Sequence, residues 1–545
     1  MSTAIGKQAG TANKTRRSPA AVFLGLFIFF SLAFSLWAVA TPLMGYPDEP
    51  AHTIKAAAVV RGEVTVPPGQ SFGHGVHVIV PAYIANLPAQ TCFAFQRAVP
   101  ADCAPPVPGN DTYDAIAVTS AGTYNPMYYW IVGLPSLVMT GAPAIYAMRI
   151  VSALLSAVFF AAGFTALLQL RRPGWPVIAA AVAITPMTLF LGSGINPNSI
   201  EIGTTVALFC GLLVVLDNSR GLARVSPAIL TVGASIAVLA NTRSVSLAWL
   251  LCAVVVAFLF YRWRDVASLF RNRLTLVTIG IAAVGVVLGL AWMVLTLSTP
   301  ASSGVAPEGI ANATHNVASY QAFVTMLDRT FDFITQYIGV MGWLDTPVPQ
   351  MVLSFWSMLF VLAILLPLIT RPRRLAYVFV TTLLMLAVVP AVIQAVLVGS
   401  VGFIWQGRYT MPLVIITLIS AGMALRCHRF STSARAPVLG RLFLISALVA
   451  HVASFAYVLR RYVAGIQDLS TWQTMISHPS WQPPLGWPVL TILYAALLTV
   501  AARSLYSYLF PGFKLFVRPR HRAKAAAPDV RPGVNPAADA RSGPA

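Results

Sequence analysis

The sequence predicts an all-α polytopic membrane protein with about twelve transmembrane helices and a long first extracytoplasmic loop that contains interfacial helices. Of its 545 residues, 57% are hydrophobic and only 10% are charged. A soluble domain carries roughly 25% charged residues, so this composition indicates that much of the chain lies in lipid. Continuously apolar runs recur along the chain, and a helix of roughly 20 such residues spans the hydrocarbon core while satisfying its own backbone hydrogen bonds.

The first apolar segment, 20–41, follows a basic stretch, as a signal peptide would. It is longer than a typical signal sequence and has a poor small-residue cleavage site, so we predict an uncleaved first helix. Each of the remaining segments is predicted as a span because it is apolar and bounded by polar or basic residues. These spans are 145–170, 175–192, 198–216, 225–241, 245–261, 274–297, 351–370, 375–398, 409–425, 442–459 and 487–510.

The formal net charge is +20 at pH 7, which by itself could indicate a nucleic-acid partner. The basic residues, however, cluster in short connections between the spans, such as 262–273 and 371–374, and in the tail from Lys514. Placing these connections in the cytoplasm satisfies the positive-inside rule at each of them. The charge therefore predicts a topology with both termini cytoplasmic, and no nucleic-acid partner is expected.

This topology divides the chain into three regions: a disordered cytoplasmic N-terminus (1–19), a transmembrane domain (20–510) and a basic, mostly disordered cytoplasmic tail (511–545). Three outer loops are long, at 42–144, 298–350 and 460–486. In the first of them, the segment 127–141 is predicted as an interfacial helix, because a further span there would put basic residues on inconsistent sides.

Cys92 and Cys103 both lie in the first outer loop. An oxidising compartment favours a disulfide between them, and the alternative is two free thiols.

The sharpest motif, Gly45-Tyr46-Pro47-Asp48-Glu49-Pro50-Ala51-His52, directly follows the first span. Two adjacent carboxylates and a histidine, fixed by prolines at the membrane surface, are costly to desolvate. Such a pair can act as a general base toward an alcohol or supply oxygen ligands for Mg²⁺ or Mn²⁺. The alternative is a solvated charged cap at a helix end. Because a carboxylate of ordinary pKa is a weak base, burial or His52 would have to raise the pKa of Asp48.

Two outer arginines are candidate anion ligands. Arg408, in Trp405-Gln406-Gly407-Arg408-Tyr409, lies at the outer end of a span, against the positive-inside bias. Arg243 lies in a very short outer connection between two brief spans. A planar guanidinium suits phosphate or carboxylate. The alternatives are an Arg408 that reaches to lipid headgroups and an Arg243 that pairs structurally with a carboxylate.

Several of these segments resemble one known family. Their residues and order are those of the bacterial domain-of-unknown-function 2142 family, over roughly residues 20–460. The matching segments are Pro47-Asp48-Glu49-Pro50-Ala51-His52, Asn125-Pro126-Met127-Tyr128-Tyr129, Asn196-Pro197-Asn198, Gly342-Trp343-Leu344-Asp345, and Gln406-Gly407-Arg408-Tyr409 with Pro412. That family resembles the GT-C glycosyltransferases, which use polyprenyl-phosphate sugars. One departure is Asn198, where the family pattern leads us to expect Asp.

The resemblance implies a GT-C-like fold and an inverting glycosyltransferase in a bacterial plasma membrane. Asp48 would be the general base, and Glu49 and His52 would assist it, with Asp48 and Glu49 also the candidate ligands for Mg²⁺ or Mn²⁺. Arg408 and Arg243 would hold the donor phosphate. The further substrate-binding candidates are Tyr128, Asn196, Asn198, Gln406 and Tyr409.

The expected partners are a polyprenyl-phosphate sugar donor, a glycan or glycolipid acceptor, and membrane lipids. No Walker loop, HExxH or CxxC motif is present, which counts against ATP-driven work and structural zinc, so no cofactor besides Mg²⁺ or Mn²⁺ is expected. A lipid-linked saccharide flippase or transporter and a non-catalytic envelope-assembly protein remain as alternatives. The span centres are almost free of charge, which disfavours transport.

Overall fold

The structure is a computed structural model that describes residues 18–64, 71–72, 75–297, 317–369, 373–427, 436–467 and 471–516. The predicted disorder of the N-terminus and of most of the tail lies outside these residues. Twenty α-helices occur among them: α1 (Pro19–Ala40), α2 (Glu49–Val59), α3 (Ala82–Ala85), α4 (Pro126–Gly133), α5 (Gly141–Leu167), α6 (Gly174–Ala183), α7 (Pro186–Leu191), α8 (Asn198–Asp217), α9 (Ser226–Ala240), α10 (Ser246–Leu259), α11 (Trp263–Leu269), α12 (Arg273–Leu297), α13 (Ser319–Asp328), α14 (Phe333–Gly339), α15 (Gln350–Ile369), α16 (Arg373–Val401), α17 (Gly407–Leu425), α18 (Ala436–Ala464), α19 (Thr471–Ser477) and α20 (Trp487–Leu509). The strands are β1 (Ser71–Phe72), β2 (Gly75–Pro81), β3 (Asp114–Thr119), β4 (Val340–Met341) and β5 (Thr346–Pro347).

The protein is a polytopic helical membrane protein, as the sequence predicts. Ten helices in the described part of the chain are long and apolar enough to cross a bilayer, and an eleventh span is possible if one bent helix pair counts as a single crossing. These ten helices are α1, α5, α8, α9, α12, α15, α16, α17, α18 and α20. Ten or eleven spans among the described residues agree with the prediction of about twelve.

Two predicted spans differ from the structure. The span 175–192 is divided into α6 and α7, because Thr185 is extended before Pro186 and caps the second helix through a hydrogen bond from the Thr188 amide. Neither half is long enough to cross alone, since a ten-residue helix is only about 15 Å long. The predicted span 245–261 corresponds to α10, which has only 14 residues. It is followed by α11 at a bend of 119°.

Two central helices hold the bundle together and also supply the polar site. The apolar window of α8 is entirely buried, and 94% of the window of α17 is buried. The N-terminal ends of these helices carry Asn198 and Arg408. The α1–α2 connection, with Asp48, and the α9–α10 connection, with Arg243, reach the same end of the bundle, as their contacts with Asn198 and Arg408 show.

The first long loop contains more regular secondary structure than the interfacial helices that the sequence predicts. It contains a three-stranded antiparallel sheet in the order β1-β2-β3, with Val78 paired to Ala117. Along β2, Val76, Val78 and Val80 are buried while Ile79 is exposed, which is the alternation expected of a sheet with one packed face. The segment predicted as an interfacial helix contains α4 and a short 3₁₀ turn. The buried face of the sheet packs with α2 and α4.

Candidate active site

The connection between α1 and α2 is fixed by hydrogen bonds from distant side chains to its backbone carbonyls. Trp343 Nε1 donates to the Met44 carbonyl at 3.0 Å and Tyr462 Oη donates to the Gly45 carbonyl at 3.1 Å. Asn196 Nδ2 donates to the Pro47 carbonyl at 3.0 Å. The connection therefore presents Asp48 in a defined position although it has no regular secondary structure.

Asp48 ends this connection with φ = +61°, a left-handed conformation that Asp and Asn tolerate better than most residues. Glu49 follows immediately as the first residue of α2. The adjacent carboxylates contact different partners: Asp48 forms an ion pair with Arg408, and Glu49 forms one with Arg149. The expectation that Glu49 assists Asp48 therefore differs from the structure, because the two carboxylates contact different arginines.

The Glu49–Arg149 pair is fully buried and bidentate. Arg149 Nε donates to Glu49 Oε1 at 2.7 Å, and Nη2 donates to Oε2 at 2.6 Å. The remaining guanidinium donors bind the carbonyls of Ala38, Thr41 and Pro42 at the end of α1. Glu49 thus fastens α1, α2 and α5 together, which is a structural role that sequence reasoning missed. The signal for it was an arginine inside the predicted span 145–170.

Replacing Glu49 with Gln should destabilise the protein strongly, because it leaves the buried Arg149 cation without a counter-charge. Breaking one half of a buried pair costs about 3–5 kcal/mol. Thermal unfolding of the detergent-solubilised variant would measure the loss. The matched control is Asp332→Asn, which removes a carboxylate whose side chain is 70% exposed and should leave the unfolding temperature unchanged. Wild-type unfolding of Glu49→Gln would contradict the structural role.

Arg408 is the most unusual cation of the site. Its side chain is 1% exposed and Nη2 pairs with Asp48, yet Nε and Nη1 have no hydrogen-bond partner within the described residues. Buried donors without partners are costly, so they mark a place where an external acceptor is expected to bind. Burial raises the pKa of the Asp48 carboxyl, but the Arg408 charge and hydrogen bond outweigh it, so this pKa lies below its usual value.

A small polar pocket lies beside the Asp48–Arg408 pair. Arg243 Nη1 donates to Asn198 Oδ1 at 2.5 Å and lies 3.3 Å from Glu201 Oε2. Its guanidinium carbon lies 4.7 Å from the ring centre of Tyr409. Because Arg243 can only donate, it fixes the amide orientation of Asn198, whose Nδ2 then has no partner within the described chain. The pocket is lined by Asp48, His52, Tyr124, Asn196, Asn198, Arg243 and Tyr409.

Two other predicted substrate ligands lie elsewhere. Tyr128 is buried in the core with its hydroxyl 2.8 Å from Ser152 Oγ, and it does not line the pocket. Gln406 precedes α17 at its N-cap position, makes no side-chain capping hydrogen bond and does not line the pocket either, although its Oε1 is buried without a partner among the described residues. Tyr124 does line the pocket, and the Tyr129 hydroxyl is hydrogen-bonded to His52. Both were missed because the aromatic segment does not reveal which helix face meets the site.

His52 is 5% exposed, and its Nδ1 lies 2.8 Å from the Tyr129 hydroxyl. Burial lowers the pKa of His52 to about 3, so its ring is neutral at physiological pH. A neutral imidazole carries no charge that could raise the pKa of Asp48, so the structure does not provide the help predicted from His52.

The pKa of His52 has a consequence for stability. Since the unfolded histidine takes up a proton below pH about 6.5 and the folded one does not until far lower, stability should fall as pH drops from 6.5 toward 3. His52→Gln should flatten this dependence in thermal unfolding measured between pH 5 and 8. His478→Gln, at an exposed site, is the control and should leave the dependence as it is. Equal slopes in wild type and His52→Gln would show that folding does not lower the pKa of His52.

The metal site predicted at Asp48 and Glu49 does not fit the residues present. Both Glu49 oxygens bind Arg149. Within the described residues, no group of three or more His, Cys, Asp or Glu side chains is placed to hold a metal ion. Asp48 alone offers too few protein ligands for Mg²⁺ or Mn²⁺.

Comparison with known proteins gives one family and several solved structures, including two of one protein. A family model described as "Predicted membrane protein (DUF2142)" matches residues 29–417, which include every residue of the pocket. No curated protein matches the chain. The crystal structure of ArnT from Cupriavidus metallidurans bound to undecaprenyl phosphate is similar at 12% identity, with a TM-score of 0.41, covering 88% of this chain and 76% of that chain. The apo structure of the same protein has the same identity and TM-score, with 90% and 77% covered.

Proposed function

This chain belongs to the DUF2142 family of predicted membrane proteins, and we propose that it is an inverting membrane glycosyltransferase. The donor is a polyprenyl-phosphate sugar, and the acceptor is a cell-envelope polysaccharide or glycolipid at the extracytoplasmic face of a bacterial plasma membrane. The observation that carries the proposal is a carboxylate, Asp48, paired with a buried arginine, Arg408, that has two further donors without partners. A base next to an anion clamp is what sugar transfer from a lipid phosphate requires.

In the proposed reaction the acceptor hydroxyl attacks the anomeric carbon of the donor. Its proton passes to Asp48, and the bond between the anomeric carbon and the phosphate oxygen breaks. The electron pair leaves with the phosphate, so the products are the glycoside with inverted configuration and polyprenyl phosphate. Asp48 can serve as the single base because no second carboxylate lines the pocket within the described residues.

The Asp48–Arg408 pair explains how the base would be activated. In the unliganded site Arg408 keeps the pKa of Asp48 low, which makes the carboxylate a weak base. A phosphate bound to Nε and Nη1 of Arg408 competes for the same cation and weakens its hold on Asp48. The pKa of Asp48 then rises, because the phosphate charge partly neutralises the Arg408 charge that lowers this pKa. Donor binding thus precedes activation of the base.

The second cation, Arg243, also faces the pocket, but Glu201 lies 3.3 Å away and Ser246 donates to that carboxylate at 2.5 Å. Each arginine therefore has one carboxylate partner, Asp48 for Arg408 and Glu201 for Arg243. Arg408 is the better phosphate ligand because two of its donors have no partner within the described residues, whereas Arg243 mainly orients Asn198. Asn198 Nδ2 adds a neutral donor toward the leaving group.

The proposal is tested with purified protein in liposomes, supplied with radiolabelled polyprenyl-phosphate sugars and bacterial envelope extract. We expect label to move from the lipid into a glycan or glycolipid, with release of polyprenyl phosphate. Label that crosses the bilayer without a new glycosidic bond would favour the transporter. If an envelope component stays bound to the protein and neither sugar transfer nor transport is detected, the non-catalytic envelope-assembly protein would be favoured. The position of Glu201 and Arg408 in the first turns of α8 and α17, rather than mid-span, disfavours transport.

A further inference from the structure

Phe95, in the first long loop, combines high exposure with a strained backbone. The side chain is 72% exposed, and its φ is +62°, in the left-handed region. A bulky aromatic residue rarely adopts this strained conformation, which persists only where the surrounding structure imposes it. Such strained positions cluster at ligand-binding sites, and an exposed aromatic ring gains nothing for folding that would explain the strain.

The surrounding structure imposes the conformation from both sides. A disulfide between Cys92 and Cys103 closes the loop. The ring of Phe93 is buried 5.5 Å from the ring of Tyr462. The fully buried Arg461 donates to the Phe93 carbonyl at 2.7 Å and to the Val99 carbonyl at 2.6 Å. Phe95 is therefore held outward between two anchored carbonyls.

A second aromatic side chain completes the surface. The ring of Trp343 lies 5.6 Å from that of Phe95 at an interplanar angle of 63°. Trp343 belongs to the β4–β5 hairpin, in which Gly342 and Leu344 have positive φ and Asp345 lies 3.3 Å from Arg461. Arg461 thus fixes both halves of the pair. We call Phe95 and Trp343 the aromatic platform.

The aromatic platform lies next to the candidate active site. Trp343 donates to the Met44 carbonyl, and four residues of chain from Met44 to Asp48 span at most about 14 Å. Exposed polar side chains, Gln96 and Arg97, border Phe95. An aromatic face next to hydrogen-bonding groups fits a ligand that has both C–H faces and hydroxyl groups.

We infer that the aromatic platform is the acceptor subsite and stacks against a hexopyranose ring of the saccharide chain to be extended; this rests on the proposed glycosyltransferase function. The negative face of an aromatic ring attracts the C–H groups of a sugar face. Because both rings are held in place before the ligand arrives, little conformational entropy is lost on binding. The polar border would bind the hydroxyl groups.

Phe95→Gly separates ligand binding from folding. Glycine adopts positive φ without strain, so this variant should unfold at the wild-type temperature or above it. The probes are maltotriose, cellotriose and chitotriose, and binding is measured by calorimetry and saturation-transfer NMR on detergent-solubilised protein. We expect wild type to bind at least one probe, Phe95→Gly to bind it about tenfold more weakly and Phe95→Trp to bind it as wild type does.

Tyr113→Gly is the matched control, since Tyr113 is 67% exposed in the same loop, and it should bind the probe as wild type does. Equal binding by wild type and Phe95→Gly, or no binding of any of the three probes by wild type, would overturn the inference. Asp48→Asn should bind the probe normally. If the probe binds at Phe95 but no sugar transfer is ever detected, the proposed function fails and the subsite stands. If sugar transfer depends on Asp48 but not on Phe95, the proposed function stands and the subsite fails.

Discussion

Asp48→Asn should lower kcat for sugar transfer by about 10²–10⁴-fold, the range typical of losing a general base. The amide keeps the shape of the side chain and cannot take the proton of the acceptor hydroxyl at neutral pH. Asn also tolerates the left-handed φ of +61° at this position. Its oxygen still accepts a hydrogen bond from Arg408. Unlike the fully buried Glu49, the Asp48 side chain is 45% exposed, so solvent screens the loss of its charge and the fold and donor binding should persist. The liposome transfer assay measures kcat, and titration with polyprenyl phosphate measures binding.

The exposed carboxylate variant Asp332→Asn is the control and should transfer sugar at the wild-type rate. Thermal unfolding of Asp48→Asn near the wild-type temperature would exclude misfolding as the cause. Turnover within a factor of a few of wild type would remove Asp48 from the mechanism.

Arg408→Gln should lower kcat/KM by about 10²–10³-fold, since removing one preorganised donor to developing negative charge has effects of that size. It should also shift the acid limb of the pH–rate profile. Arg408 holds the pKa of Asp48 below its usual value, so without it burial raises that pKa, and Asp48 becomes protonated at higher pH. The variant should therefore lose activity at a pH where wild type is still active.

Arg408→Lys separates charge from geometry. It keeps the cation but loses the planar fork, so we expect an intermediate loss that appears mostly as a raised KM for the donor. The acid limb should move less than in Arg408→Gln, because a cation still faces Asp48. If both variants kept the wild-type KM for donor and the wild-type acid limb, Arg408 would be a structural partner only.

Hydropathy and charge distribution predict most of the bundle because a span must be apolar and about 20 residues long, whatever its tertiary contacts. The two errors have local causes. Pro186 interrupts an apolar run that otherwise meets the length criterion. The bend of 119° after α10 depends on how the chain packs, and no residue type marks it. None of the strands β1 to β5 was predicted, because weak alternation in a long loop is easily masked.

The site was predicted less completely, for physical reasons. The proline-flanked acidic motif indicated Asp48, and a predicted outer position against the positive-inside bias indicated Arg243 and Arg408. In the structure Asp48 and Arg243 line one pocket, and Arg408 pairs with Asp48. Adjacent residues in sequence do not share contacts when the backbone turns between them, and this is why Glu49 pairs with Arg149 instead. Contacts between residues far apart in the chain, such as that of Tyr129 with His52, cannot be read from the residues next to either of them.

The tethers on the α1–α2 connection also have a consequence for biosynthesis. Tyr462 holds the Gly45 carbonyl across a separation of 417 residues, and Trp343 holds the Met44 carbonyl across 299. At about 5–20 residues per second, a ribosome needs roughly 20–80 s to make the intervening chain. The segment that carries Asp48 and Glu49 is thus synthesised early, but its hydrogen bonds to Trp343 and Tyr462 form only late. A nascent chain stalled before α18 would be inserted but inactive.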